Sequence, residues 1–406
     1  MKFAWTPRRL DELGFLGRGK SRHRPRNEAS LYGGPYPFIQ TADVMAADPY
    51  ITSYSQTYSE FGYQQSKMWP PETLCMTIAG ANTAKTAILK FEACFPDSMV
   101  GFIPDKSKSD IVFVKYALDL MRDRFLSVSR GATQDNLGLA KILSFPILAP
   151  DVDEQRRIGA ILSAYDELVE NSQRRIRLLE AMALALYREW FVHFRFPGHE
   201  KLPRVASPLG DIPKAWEVKP FTDIADVLSG GTPKTEVAEY WNGEIPFFTP
   251  RDVPDCFYAQ DTDKHTNELG LSKCASELYP PDTVFITARG TVGKVALPSV
   301  PMAMNQSCYA LRGKQGIPQR FLFLMTLQQV DYLKTNTGGA TFDTIVVDTF
   351  RRMEVVKPTR EIMARFAKKT DAIFGQVNTL HRQIQNLRRT RDLLLPRLLS
   401  GQVNLA

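Results

Sequence analysis

Hydrophobic residues in this 406-residue chain follow two kinds of pattern, and the two alternate along its length. Over about 1–150, and again over about 205–358, short apolar stretches are broken by Gly, Pro, Asn and Asp. Pro37-Phe38-Ile39, Ile111-Val112-Phe113-Val114, Val284-Phe285-Ile286 and Val355-Val356 read as strands separated by turns. Residues 115–127 and 318–333 read as helices. After each of these regions the period changes. Tyr165, Val169, Ser172, Ile176, Leu179, Ala183, Leu186 and Trp190 are spaced alternately by four and three. So are Ile373, Val377, Leu380, Ile384, Leu387, Arg391, Leu394 and Leu398. This is the a/d seam of a coiled coil, with flanking charges such as Glu170, Arg174 and Arg175 off the seam. Gly375 weakens the second helix locally, and Pro396 is expected to end its regular part, because proline removes a helical hydrogen bond.

The alternation reflects an internal repeat. GATQDNL (131–137) returns as GATFDTI (339–345). Pro70-Pro71-Glu72-Thr73 returns as Pro280-Pro281-Asp282-Thr283, and Gly34 to Val44 aligns with Gly243 to Val253. Arg174, Ile176, Leu179 and Leu186 align with Arg382, Ile384, Leu387 and Leu394, so the offset stays between 208 and 210 residues. A period that long is a domain plus an appendage, not a solenoid repeat. The reading is α+β: two pseudo-repeated, mostly-β domains (1–150 and 207–358), two long helical regions (151–196 and 359–406) and a linker at 197–206. Each helix presents a narrow apolar stripe in the same register, so the expected partner of each is its twin. The alternative is two separate amphipathic helices, each on its own core. Twin helices related by a two-fold perpendicular to them run antiparallel, and some 38 helical residues span roughly 57 Å.

Composition adds constraints. No apolar run approaches the roughly 20 residues that span a bilayer, and MKFAWTPRRLDELGF lacks the apolar core of a signal peptide. The five cysteines are odd in number and scattered without C-x-x-C, as are the five histidines. That pattern fits reduced thiols in a cytoplasm and suggests no metal site. The net charge of +7 favours a polyanionic partner, although a merely basic protein carries the same number.

Two motifs that promise catalysis lack their context. Gly14 to Ser21 fits the phosphate-binding pattern G-x-x-x-x-G-K-S, which needs a buried strand before it and a helix after it. TPRRLDEL precedes it and RHRPRNEAS follows it, and neither is suitable. The Pro-Pro pairs lack the Asn or Asp and the aromatic of the [DN]-P-P-[FY] site of amino-methyltransferases, which methylate amino groups, and read as turns into the next strand. What remains is a set of basic and amide-bearing loops suited to DNA. In the first copy these are Lys20, Arg22, Arg24, Arg26, Gln40, Gln64 and Gln65. In the second they are Thr232, Lys234, Thr249, Arg251, Arg289, Thr291, Lys294, Asn305 and Gln306. Arginine and lysine suit phosphates and guanine edges, and amides suit adenine.

These features together resemble the specificity subunit of type I restriction–modification enzymes. The resemblance rests on residues 154–198 and 383–403, and on YGGPYPFIQTADV (32–44), TARGTVGK (287–294) and MNQSCYAL (304–311). It implies two target-recognition domains and two spacer helices forming an antiparallel coiled coil. Each domain then reads half of a bipartite target in double-stranded DNA. The resemblance implies no catalytic residue and no cofactor on this chain. Two methyltransferase subunits would bring S-adenosylmethionine and methylate adenine N6, and restriction subunits would bring ATP and Mg, in a bacterial or archaeal cytoplasm. Because RGKSRHRPRNEASLYGG in one copy is replaced by SGGTPKTEVAEYWNG in the other, the target is expected to be asymmetric. Two rival readings are an ATPase acting through Lys20 and a coiled-coil scaffold without DNA contact.

Overall fold

The duplicated sequence folds into a duplicated strand order. The computed structural model describes residues 5–80, 82–129, 137–335 and 344–403. It divides into two units, Met1–Glu170 with Gln385–Ala406, and Asn171–Ile384. In the first unit a five-stranded sheet runs Gly14–Arg18, Met99–Pro104, Leu74–Thr77, Thr86–Leu89, Tyr50–Ile51. In the second unit the order is Ala225–Ser229, Cys308–Gly313, Val284–Thr287, Val295–Pro298, Tyr258–Ala259. Strand by strand, these are the same segments of the two copies. The last pair in each sheet is parallel and the others are antiparallel. A second sheet of Gln56–Tyr58, Tyr32–Phe38, Ala93–Cys94 and Met68–Trp69 is matched by His265–Thr266, Ile245–Phe248 and Ala303–Met304. The class is α+β, with two mostly-β heads and two long helices.

The repeated sequence signals act at repeated places. Glu72 and Asp282, after the two proline pairs, both adopt left-handed backbone, with φ of 62° and 64°. Their amides bond to Leu89 O at 2.8 Å and Pro298 O at 3.0 Å. The next threonine closes each turn: Thr73 Oγ1 donates to Pro70 O at 2.7 Å, and Thr283 Oγ1 to Pro280 O at 2.8 Å. Of the two matching heptapeptides, only the ends lie within the described residues. Those ends are buried alike. Leu137 N donates to Ile78 O at 2.8 Å, and Ile345 N to Ala288 O at 3.1 Å, at equivalent strand ends.

Two expectations fail. Ile111-Val112-Phe113-Val114 is not a strand but the first turn of the helix Ile111–Leu120. Asp110 caps it, its Oδ1 accepting from Val112 N at 3.0 Å and Phe113 N at 2.9 Å. The cap meets two amides that a helix leaves unpaired. The helix is buried from Val112 to Leu118, so its apolar run carries no visible period. Pro396 does not end the second long helix, which runs Arg360–Leu399. Leu395, Leu398 and Leu399 bury the turn around the proline in the first unit's core.

The first long helix spans Val152–Tyr187, followed by a π-helical turn at Arg188–Val192. Each unit holds part of both long helices, and within each unit the two run antiparallel. In the first, Ile158 and Leu162 share a core with Leu395, Leu398 and Leu399, while Asp166 meets Arg391 at 2.7 Å. In the second, Tyr187 and Trp190 pack on Phe366, with ring centroids 6.0 and 5.6 Å apart. Of the seam positions, Val169, Ile176, Val377, Leu380 and Ile384 are buried. Tyr165, Leu179, Leu186, Ile373, Leu387 and Leu394 are only half-buried, while Asp166, Glu180, Tyr187, Phe374 and Leu395 beside them are buried. The buried stripe is wider than a coiled-coil seam because each helix packs on a head as well as on its twin. Phe374, for example, stacks on Phe257 at 5.7 Å. No helix among the described residues is long and apolar enough to cross a membrane.

Candidate nucleic-acid interface

In the second unit, loops from the ends of several strands surround a cleft of about 580 Å³. Thr232, Thr249, Arg251, Arg289, Thr291, Asn305 and Gln306 line it. Lys234 and Lys294 are exposed but do not. The local folding explains the convergence. Thr249 N and Oγ1 donate to Asp252 Oδ2 at 2.8 and 2.6 Å, a tight turn that leaves Arg251 exposed. Gly290, at φ 78°, carries the chain through the turn beside Arg289. Asn305 Oδ1 accepts from Ser307 N at 3.1 Å, and Thr232 Oγ1 donates to Gln306 Oε1. Among the described residues no ion pair neutralises Arg251 or Arg289. Trp241, Lys264 and Asp263 also line it, and the Lys264 ammonium lies 5.5 Å from the Trp241 ring. Sequence reasoning missed these three. Trp241 stood inside the divergent loop already set apart, and an aromatic among cations is the signal that could have found it.

The first unit has a cleft of about 480 Å³ at the equivalent place. Ser21, Gln40 and Ser98 there occupy the repeat positions of Thr232, Thr249 and Ser307 in the second. Arg26, Asn27, Tyr32 and Gln56 also line it, and Gln40 Nε2 donates to Gln56 Oε1. The other candidates of this copy are placed differently. Lys20 is half-buried and Arg22 exposed, and neither lines the cleft. Arg24 and Arg26 both pair with Asp97, so part of the basic loop's charge is neutralised. Gln65 Oε1 accepts from the amides of Arg22 and His23, which makes it a brace for the basic loop. Gln64 is exposed, its Nε2 3.4 Å from Glu60 Oε1. The glycine-rich stretch before Lys20 is an antiparallel strand, Gly14–Arg18, and no helix starts directly after Ser21 to aim its dipole at a phosphate.

The scattered histidines and cysteines do not all stay apart in space. Glu180, Cys256 and His381 come together in the second unit, their potential ligand atoms within 4.8 Å of one another. Burial pushes the Glu180 carboxyl up to about 7. Burial, with help from Glu180, pushes the Cys256 thiol up to about 11, and burial lowers His381. The sequence, which suggested no metal site, gave no sign of this cluster. Its members come from three distant segments, and no local spacing announces them.

The fold and its clefts define a class: a binding protein with two related heads, each presenting its own polar surface. The family model for the type I restriction modification DNA specificity domain matches residues 4–181 and 213–387, and the chain belongs to that family. It is a specificity subunit, the non-catalytic component that recognises DNA sequence. It is 23% identical to the type I restriction enzyme MjaIX specificity subunit of Methanocaldococcus jannaschii, over 98% of this chain and 93% of the relative. It is 24% identical to the HindI specificity subunit of Haemophilus influenzae, over 69% and 74%. The crystal structure of the type I restriction–modification S subunit from M. genitalium shares the fold, with a TM-score of 0.58 and 16% identity over 98% of this chain and 96% of that one.

Proposed function

We propose that the two clefts read the two halves of an asymmetric, bipartite site in double-stranded DNA. The carrying observation is that equivalent clefts hold different side chains. Arg26, Asn27, Gln40 and Gln56 line one, and Arg251, Arg289, Asn305 and Gln306 line the other. Different donors and acceptors at one place on a repeated scaffold select different bases. The paired long helices set the number of unread base pairs between the halves. A helix of 36 residues is about 54 Å long, comparable to roughly one and a half turns of B-DNA. The same helices dock two methyltransferase subunits, which carry S-adenosylmethionine and methylate adenine N6 in the cytoplasm of a bacterium or archaeon. Restriction subunits that use ATP and Mg complete the nuclease. Binding is expected to weaken steeply with salt as phosphates are neutralised.

The test is to map N6-methyladenine in DNA exposed to the assembled methyltransferase carrying Arg289→Ala with Gln306→Ala. The expected outcome is relaxed or changed sequence in one half of the target, with the other half and the gap intact. Changes in both halves, or none at a preserved methylation level, would overturn the assignment of one cleft to one half-site.

A further inference from the structure

We propose that Glu180, Cys256 and His381 form a three-ligand site for a divalent zinc ion. The residues come from the first long helix, from the segment entering Tyr258–Ala259, and from the second long helix. Thiolate, imidazole and carboxylate are the ligand types zinc takes, and three protein ligands with one open position is a recurrent zinc arrangement. Two ligands on one tetrahedral zinc stand about 3.5 Å apart, so atoms now within 4.8 Å converge by small side-chain rotations.

Two further observations point to an ion rather than to a hydrogen-bonded cluster. His381 Nε2 is shut off from solvent and has no hydrogen-bond partner among the described residues. A ring nitrogen in that position costs stability unless something binds it. Glu180 is held for ligation by the chain itself, one oxygen accepting from Phe257 N at 2.6 Å and the other remaining available. Such outer hydrogen bonds orient metal ligands. The charge count also closes. A thiolate and a carboxylate neutralise Zn²⁺, so the loaded site is an uncharged unit within a partly buried space. Loading releases the Cys256 thiol proton to water as the sulfur–zinc bond forms. The bound ion ties both long helices to the second head. It is a structural clasp, separate from the cleft that holds Arg251 and Arg289.

The experiment uses the full chain dialysed against zinc and then against metal-free buffer. About one zinc per chain is expected to remain by atomic emission, and Cys256→Ser and His381→Ala are each expected to bind at least about tenfold more weakly. Cobalt loaded in place of zinc should show a thiolate charge-transfer band that Cys256→Ser abolishes. A measurement on the unaltered chain guards against variants that misfold. Added zinc should slow alkylation of Cys256 and leave Cys274, which is comparably exposed, at its original rate. Alkylation of Cys256 at the same rate with and without zinc would overturn the proposal, as would zinc retained equally by both variants.

Discussion

Arg391 stands where the heptad pattern calls for an apolar residue, and its side chain is only 11% exposed. Its Nη1 donates to Asp166 Oδ1 at 2.7 Å and to Tyr116 Oη at 3.1 Å. The Tyr116 hydroxyl in turn reaches both Asp166 oxygens, at 2.7 and 2.8 Å. Burial works against the Asp166 charge and raises its pKa, although Tyr116 and Arg391 both favour the ionised form. A buried pair of this kind is expensive to break and nearly neutral to replace whole. Arg391→Ala should therefore destabilise the first unit by about 3–5 kcal/mol. The triple change Tyr116→Phe, Asp166→Leu, Arg391→Leu should recover most of that loss, and urea denaturation of the three proteins checks both expectations. In the second unit the positions equivalent to Asp166 and Arg391 hold Phe374 and Ala183, so the same place is apolar there. The sequence showed Arg391 on the seam but not its partner, because Asp166 lies one residue off the pattern.

Local elements were legible where a residue's own chemistry decides the backbone. The Pro-Pro turns are of this kind, and they allow a paired prediction. Glu72 is left-handed, and its one ion pair, with Lys106, is exposed on both sides. Glu72→Gly should raise stability by about 0.5–1 kcal/mol, the relieved strain less the glycine's entropy. Asp282 is equally left-handed, but its carboxylate accepts from the buried Tyr258 hydroxyl at 2.6 Å and from Arg320 at 3.1 Å. Asp282→Gly should therefore lower stability by about 1–3 kcal/mol, the cost of leaving those groups unpaired. Thermal melts of both variants give the opposite signs. Elements decided by tertiary burial were less legible. The run 111–114 is rich in β-branched residues and reads as a strand, yet the Asp110 cap and enclosure on all sides make it helix. In the clefts, the sequence pointed to Arg289 through the loops corresponding to the first basic region, and to Asn305 and Gln306 as further polar residues. It gave no hint that Gln65 turns back onto the chain or that Lys264 turns towards the cleft.

At the scale of the molecule, the repeat was the strongest signal, because an offset near 208 residues recurs in turns, strands and helices alike. What no pattern displayed is how the segments are shared. Both long helices contribute to both units, and the first unit is built from two distant stretches of chain. On the reading proposed here, a heptad inserted in both helices, after Leu179 and after Leu387, should lengthen the gap in the methylated target and leave the bases of each half unchanged. Sequencing of methylated sites decides this, and altered half-sites would count against helices as spacers.

The shared construction also orders events in time. The first unit's core is unfinished without Leu395, Leu398 and Leu399, which are translated only after the whole of Asn171–Ile384. At about 5–20 residues per second, the ribosome keeps that apolar surface waiting for roughly 10–40 s. The half-made head is then a natural client for a chaperone, and the second head, although it begins later, is the first to be completed.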